Sequence, residues 1–222
     1  MVAPARRRYS RPGMRLEEAY QRQLHHWRAT LDSGATRIGW KIGLNAPAIQ
    51  EKLGLERSVV GHLTTATLLG ADGSHSLAGS QDPKVEAEIA IVMGANGEIA
   101  GLAPALEVVD IDPSLNDAGE IVAANVFHRA VAIGSTSEVT SADGIEAELS
   151  LSGGTDQSAD AGAFDLHEIV ALVDETLRSA GESLDAGDRI IAGSLTAPAA
   201  VAAGDRVRLH LGAIGKLEIA FS

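Results

Sequence analysis

Two carboxylates lie inside a stretch that otherwise has the pattern of a buried strand, DPKVEAEIAIVM, at positions 82–93. Side chains of a strand alternate between its two faces, so Glu86 and Glu88 share one face, about 7 Å apart along the strand. Like charges at that separation repel each other unless a cation lies between them. Such a pair is also typical of a solvent-exposed strand face, and the spacing alone leaves both interpretations open.

A third acid lies in a second aliphatic run, PALEVVDID, where Glu107 interrupts the apolar pattern. The glutamate face of the first run continues with Ala90 and Val92, which indicates that this face is not exposed along its whole length. Three carboxylates from two strands form a site of hard oxygen ligands, which suits Mg²⁺ or Mn²⁺. We therefore predict that the three glutamates bind one divalent ion.

The stretch GWKIGL adds a positive charge, because Lys41 stands in it among apolar neighbours. A surface lysine at the end of a strand is one interpretation. The other is a cation that faces the metal pocket, where it would hold a substrate carboxylate or relay a proton.

The elements that position these residues are predicted from periodicity. Apolar residues three and four apart predict a helix over Met14–Leu31, and a strand follows from Arg37 to Leu44. We expect Asn45 to cap a short helix, and Asp165 to cap a longer one that ends near Gly181. Further predicted strands are Val85–Met93, Ala105–Ile111, Arg129–Ile133, Glu146–Leu151, Arg189–Gly193, Arg206–Leu211 and Lys216–Phe221. The Gly-rich segment 150–164 is predicted to be a surface loop.

Composition narrows the class of protein. The 222 residues are 45% hydrophobic and 3% aromatic, which predicts one mostly β domain with an aliphatic core over residues 14–222. There is no cysteine, so a metal must be bound by oxygen or imidazole. A net charge of -12 disfavours nucleic acid as a partner. No apolar run is long enough to span a membrane. Residues 1–13 are predicted to form a disordered basic leader, without the apolar stretch of a secretory signal, and we expect a cytoplasmic protein.

Five stretches together resemble one family. They are GWKIGLN, PKVEAEIAIV, PALEVVD, LDAGDRIIAGSLT and GDRVRLHLGAIGKLEIAF, in this order along the chain. The resemblance is to the 2-keto-4-pentenoate hydratase and 4-oxalocrotonate decarboxylase branch of the fumarylacetoacetate hydrolase superfamily. It implies an α+β fold, a mixed β-sandwich roll with packed helices and a helical N-terminal part.

The resemblance also implies a chemistry. Glu86, Glu88 and Glu107 match the acids that hold Mg²⁺ or Mn²⁺ in the family, and Lys41 matches the lysine near the substrate carboxylate. The substrates are small 2-oxo or 2-hydroxydienoic acids from aromatic or steroid ring degradation, which react through a dienolate that the metal stabilises. Relatives form homo-oligomers, and a complex with a related hydratase or decarboxylase is a further expectation.

Several positions depart from the family pattern. The usual Asp-Ser-Arg reads Asp110-Ile111-Asp112, so an anion-binding arginine is missing, and the usual Ala-Asp-Asn reads Ala123-Ala124-Asn125. About a dozen residues are missing between the second and third acids. Hydratases of the family carry an acid just before the glycine that matches Gly61, where this chain has Val59 and Val60. An apolar wall there favours loss of CO₂, which inclines the prediction mildly toward decarboxylation.

Other polar residues near these motifs complete the predicted site. His62 and His128 are candidates for proton transfer, although a lone histidine is more often structural. Asn125, and Ser194 or Thr196 in the stretch GSLTAP, are expected to contact substrate, together with Val59.

Three functions are compatible with these features. The leading hypothesis is a metal-dependent lyase, either a decarboxylase or a hydratase. The second keeps the site but changes the reaction to that of an acylpyruvate hydrolase or an oxaloacetate decarboxylase. The third is a non-catalytic family member that acts as an assembly partner, in which three converging acids would have no reason to persist.

Overall fold

The computed structural model describes residues 14–70 and 73–222, and the leader predicted for residues 1–13 lies outside this range. The helices are α1 (Leu16–Asp32), α2 (Pro47–Leu53), α3 (Ala118–Ala123) and α4 (Leu166–Ser179). The strands are β1 (Arg37–Gly43), β2 (Val59–Thr64), β3 (Ser74–His75), β4 (Pro83–Met93), β5 (Ile99–Asp110), β6 (His128–Ile133), β7 (Glu146–Leu151), β8 (Gln157–Asp160), β9 (Arg189–Ile191), β10 (Ala199–Ala200), β11 (Arg206–Leu211) and β12 (Gly215–Phe221).

The first sheet has the order β2-β1-β9-β4-β5-β6, with β10 paired to β4. Its two ends are joined by the segment that follows β2. The Val131 N–H of β6 donates to the Thr67 carbonyl at 2.9 Å, and the Leu69 N–H donates to the Val131 carbonyl at 2.8 Å. The sheet therefore curls into a roll with an inner and an outer face.

Small apolar side chains fill the interior of this roll. They are Ile38, Leu63, Ala90, Ala103, Ala105, Val131 and Ile191, packed against the partly buried Leu68 and Ile133. The alternation of strand side chains places the two glutamates of β4 and the glutamate of β5 on this same inner face.

The outer face of the roll packs on the second sheet, of order β3-β12-β11-β7-β8, and on helices α1 and α4. Strand β7 alternates exposed and buried residues along EAELSL, and β11 does the same along RVRLHL. Helix α4 buries Leu166, Ile169, Val173 and Leu177 in this main core. Helix α1 adds Trp27, whose ring centre lies 5.2 Å from that of Trp40.

The predictions for helix caps and loops are only partly confirmed by the structure. The Asp165 side chain accepts hydrogen bonds from the N–H groups of His167 and Glu168, which confirms the predicted cap of α4. The prediction that Asn45 caps α2 is wrong, because Ala46 is the N-cap residue and makes no side-chain cap. The predicted loop 150–164 contains strand β8, so it is partly wrong as well.

Within the described parts of the chain, no helix combines the length and the apolar character that crossing a membrane requires.

Candidate metal centre

Three glutamates meet at one end of the roll. Glu86 lies directly opposite Glu107 in the antiparallel ladder of β4 and β5, and Glu88 is the next residue of β4 on the same face. One carboxylate oxygen from each lies within 4.8 Å of the others. Glu88 and Glu107 are fully buried, whereas Glu86 is half-buried.

Each of the two buried glutamates has one oxygen that contacts protein donors and one that lacks a hydrogen-bond partner among the described residues. The Gly193 N–H donates to Glu88 Oε2 at 2.7 Å, and Lys41 Nζ and His128 Nδ1 each lie 2.7 Å from Glu107 Oε1. Glu88 Oε1 and Glu107 Oε2 are buried and have no hydrogen-bond partner among the residues that the structure describes. A buried oxygen without a hydrogen-bond partner destabilises the fold, because it has lost its contacts with water. A hard divalent cation would satisfy these oxygens, so this donor set fits such an ion.

The pKa values of the three acids differ with their surroundings. Burial, followed by the charge on Glu107, raises the pKa of Glu86 to about 7. Burial and the other two acids raise the pKa of Glu88 well above its usual range. Burial also acts to raise the pKa of Glu107, but Lys41 and His128 outweigh it and lower this pKa to about 2. Negative charge is thus favoured on Glu107 and opposed on its neighbours, where a cation would favour it.

Lys41 is a buried cation, 1% exposed, on the inner face of β1. Burial acts to lower its pKa, but Glu107, Glu86 and Glu88 prevail and raise it. Opposite Lys41 in the ladder is Gly61, where an added Cβ would lie 2.9 Å from Lys41 Cγ. The glycine therefore provides the space that the lysine side chain occupies.

A strained turn holds this end of the roll together. Asn125, Val126 and Phe127 have consecutive φ values of 57°, 56° and 63°, a left-handed conformation that asparagine tolerates and valine rarely adopts. The turn brings the Val126 carbonyl to 3.3 Å from Lys41 Nζ. Asn125 Oδ1 accepts from the His62 N–H at 2.8 Å, and Asn125 Nδ2 donates to the His62 carbonyl at 3.0 Å. The Asn125 amide thus fastens β2 to the turn, and its predicted contact with substrate stays a prediction.

The His62 side chain lies apart from the acids. It alternates along β2 with Gly61 and Leu63, which face inward, so it belongs to the face opposite that of Lys41. No hydrogen bond joins it to any of the three glutamates in the described chain. This geometry gives no support to His62 as a proton carrier for the site.

The GSLT segment runs beside the glutamate strand. The Leu195 N–H donates to the Ala87 carbonyl at 2.8 Å, which places Ser194 and Thr196 along β4 near the acids. Ser194 Oγ donates to the Thr196 carbonyl at 2.7 Å. Thr196 Oγ1 is buried without a partner among residues 14–70 and 73–222. The Thr196 hydroxyl, unlike that of Ser194, is therefore available to hydrogen-bond a ligand.

Two contacts of the site were not predicted from the sequence. Gly193 holds Glu88 through its N–H and has φ 92°, a conformation that favours glycine and that the Gly-Ser pair could have suggested. Thr67 lies 2.9 Å from His128 Nε2, and nothing in its surrounding sequence indicates this contact.

Comparisons with known proteins identify the family and the fold. Residues 41–221 match the family model of the fumarylacetoacetate (FAA) hydrolase C-terminal domain. The chain is 30% identical to a 2-keto-4-pentenoate hydratase of Paraburkholderia xenovorans (strain LB400), over 99% of this chain and 88% of that protein. It is 27% identical to a 4-oxalocrotonate decarboxylase of Pseudomonas sp, over 84% of this chain and 79% of that protein.

A solved structure shares the fold. It is a 4-oxalocrotonate decarboxylase from Pseudomonas putida G7, complexed with magnesium and adipate, with a TM-score of 0.84 at 24% identity. The match covers 95% of this chain and 88% of that one. The resemblance and the α+β fold class predicted from the sequence are therefore confirmed.

Proposed function

The chain belongs to the fumarylacetoacetate hydrolase family, and on this premise we propose that it is a divalent-metal-dependent lyase for an enolisable 2-oxo or 2-hydroxydienoic acid. One observation carries the proposal. Within the part of the chain that the structure describes, two fully buried glutamates each have one oxygen without a hydrogen-bond partner, beside a third glutamate and a buried lysine. A purely structural cluster of acids would have its oxygens satisfied by protein donors.

Glu86, Glu88 and Glu107 would hold the ion, which we propose is Mg²⁺ or Mn²⁺. Such an ion supplies Lewis acidity to the oxygens of a 2-oxo acid, where negative charge develops during the reaction. We expect substrate to approach past Glu86, which is half-buried while the other two glutamates are fully buried.

Lys41 is positioned to bind the substrate carboxylate. Two contacts of its ammonium are fixed, to Glu107 and to the Val126 carbonyl. An ammonium has three N–H donors, so one remains for a ligand. In a buried site, a charged hydrogen bond of this kind orients the substrate more strongly than it would in water.

The wall of the site inclines the proposal toward decarboxylation. Val59 is 2% exposed and packs in one cluster with Val126. The resemblance to the family puts the water-activating acid of hydratases in this stretch before Gly61, where the chain has only Val59 and Val60. Loss of CO₂ requires no such base: the bond to the distal carboxylate breaks and its electron pair enters the conjugated 2-oxo system, which later takes up a proton. An apolar wall also disfavours the charged carboxylate relative to its dispersed transition state.

The wider setting follows from the same family. We propose a cytoplasmic homo-oligomer that acts on small acids released in aromatic catabolism, alone or in complex with a related hydratase or decarboxylase. The acidic chain carries a net charge of -12, which disfavours nucleic acid as a partner.

The test is an ultraviolet assay with a 2-hydroxydienoate and with an oxalocrotonate, each with and without Mn²⁺, together with measurement of CO₂. We expect metal-dependent loss of absorbance, with CO₂ released from the oxalocrotonate. Glu88→Gln should lower the rate by on the order of 100-fold or more, because it removes a ligand from a buried site. Glu146→Gln, on the exposed edge of β7, is the matched control and should not change it.

The outcomes are distinct. Absorbance loss without CO₂ would assign hydration instead of decarboxylation. Full activity of Glu88→Gln would overturn the site, and no turnover with no metal binding would favour the non-catalytic alternative.

A further inference from the structure

His128 is a buried residue beside the three glutamates, only 6% exposed. Its Nδ1 lies 2.7 Å from Glu107 Oε1 and its Nε2 lies 2.9 Å from Thr67 Oγ1. Both ring nitrogens are therefore engaged by groups of the protein.

Backbone hydrogen bonds fix both this histidine and its partner Thr67. The His128 N–H donates to the Asn125 carbonyl at 3.1 Å, within the strained turn. The Thr67 carbonyl accepts from the Val131 N–H at 2.9 Å, in the segment that closes the roll. The imidazole thus spans between the closing segment and the metal-binding strand β5.

The hydrogen-bond directions follow from the chemistry of the groups. An ionised Glu107 only accepts, so Nδ1 carries a proton and donates to it. In the neutral ring Nε2 then accepts from the Thr67 hydroxyl, for which the competing acceptor, the Thr64 carbonyl, lies farther away at 3.3 Å. The tautomer is inferred from this network.

We propose that His128, held by Thr67, is a positioning residue that keeps Glu107 Oε1 engaged so that its Oε2 stays directed at the metal. This rests on the function proposed above. Lys41 also holds Oε1, but the same lysine is the group that would bind the substrate carboxylate. His128 supplies a second donor to Oε1, so the orientation of the carboxylate does not depend on the lysine alone.

The experiment measures Mn²⁺ affinity by calorimetry for the full chain and for a matched pair of variants. His128→Asn places an amide nitrogen near the position of Nδ1 and keeps a donor for Glu107. His128→Gln carries its amide farther out, toward Thr67, and removes that donor. We expect His128→Gln to weaken Mn²⁺ binding by about 10- to 100-fold and His128→Asn to retain most of the affinity.

Two further measurements separate positioning from a structural role. The electron paramagnetic resonance spectrum of bound Mn²⁺ should change in His128→Gln, because the ligand geometry changes, and stay near that of the wild type in His128→Asn. His210→Gln, at an exposed histidine of β11, should alter neither quantity. A loss of thermal stability with unchanged Mn²⁺ affinity would overturn the proposal.

If His128→Gln does not fold, Mn²⁺ binding by Thr67→Val tests the proposal instead, because this variant removes the hydroxyl and keeps the side-chain shape. Weaker Mn²⁺ binding than in Thr67→Ser supports the proposal, and equal binding overturns it. A wild-type chain that binds no Mn²⁺ would instead remove the proposed function itself, which makes the two failures distinguishable.

Discussion

At the scale of single residues, buried acids in this molecule fall into two kinds. Asp188 is 5% exposed, and its carboxylate is bound by the Arg37 guanidinium, the Trp40 indole N–H and the Asp185 N–H. Glu88 and Glu107 are buried at least as deeply, yet each keeps one oxygen without a partner in the described chain. Burial alone therefore does not distinguish the two glutamates from Asp188, whereas burial of an oxygen without a partner does, and this is the basis on which we propose them as metal ligands.

His62 carries a prediction about pH. Burial, followed by the charges of His128 and His26, lowers its pKa from 6.5 to about 4. Between these values the unfolded chain binds the proton and the folded chain does not, so stability is complete above pH 6.5 and falls as the pH drops toward 4. This residue should lower the free energy of unfolding by about 2 kcal/mol between pH 7 and pH 5.

Urea denaturation of the wild type and His62→Gln at both pH values measures this contribution as a difference. Other groups titrate equally in the two proteins and cancel. If the two proteins lose the same stability between pH 7 and pH 5, the low pKa of His62 is refuted.

At the scale of elements, sequence patterns predicted what is encoded locally. Strand β7 follows from its strict alternation, and α4 follows from its cap, its apolar face and Gly181, whose φ of 81° fits the end of a helix. The segment that closes the roll was not predicted. Thr67 and Leu69 pair with Val131, more than 60 positions away, and no local signal specifies such a partner.

The same limit applies to helix α3 and to the turn after it. Six residues make a weak helical pattern, and three consecutive left-handed residues contradict the local preferences of valine and phenylalanine. Tertiary contacts impose this turn, through Lys41 on the Val126 carbonyl and the Asn125 amide on β2. Local conformational preferences thus fail to predict the turn that contacts Lys41, beside the proposed metal site. Such failures are expected at functional sites.

The junction of β1 with β9 supplies a prediction for these elements. Asp188→Ala would leave the Arg37 guanidinium and the Trp40 indole without their shared acceptor, at a cost of about 3 kcal/mol in the free energy of unfolding. Asp185→Ala removes an ion pair to the same Arg37, but its side chain is 63% exposed, so the loss should stay under about 1 kcal/mol. Urea denaturation compares the two variants. Equal losses would contradict the distinction, and neither change should alter Mn²⁺ affinity.

At the scale of the whole molecule, the site exists because one end of the roll collects distant parts of the chain. The register of β4 against β5 sets Glu86 opposite Glu107, and the antiparallel pairing of β1 with β2 sets Lys41 opposite Gly61. The residue types and the face of each strand could be predicted from alternation. Their convergence could not be predicted from spacing, since it depends on sheet order and curvature. It was predicted from the family resemblance.

This convergence predicts that metal and folding are coupled. The folded chain brings the three glutamates together and the unfolded chain does not, so Mn²⁺ at 100 times its dissociation constant should raise the free energy of unfolding by about 2.7 kcal/mol. For a chain of this length, that corresponds to an increase in Tm of about 5 to 10 °C, and a chelator should reverse it. Glu88→Gln should lose the increase, while the exposed Glu146→Gln should keep it. Without metal, Glu88→Gln should be at least as stable as the wild type, because glutamine is uncharged, like the protonated form of Glu88 that burial and the neighbouring acids favour. An equal increase in wild type and Glu88→Gln would place the ion elsewhere on the molecule.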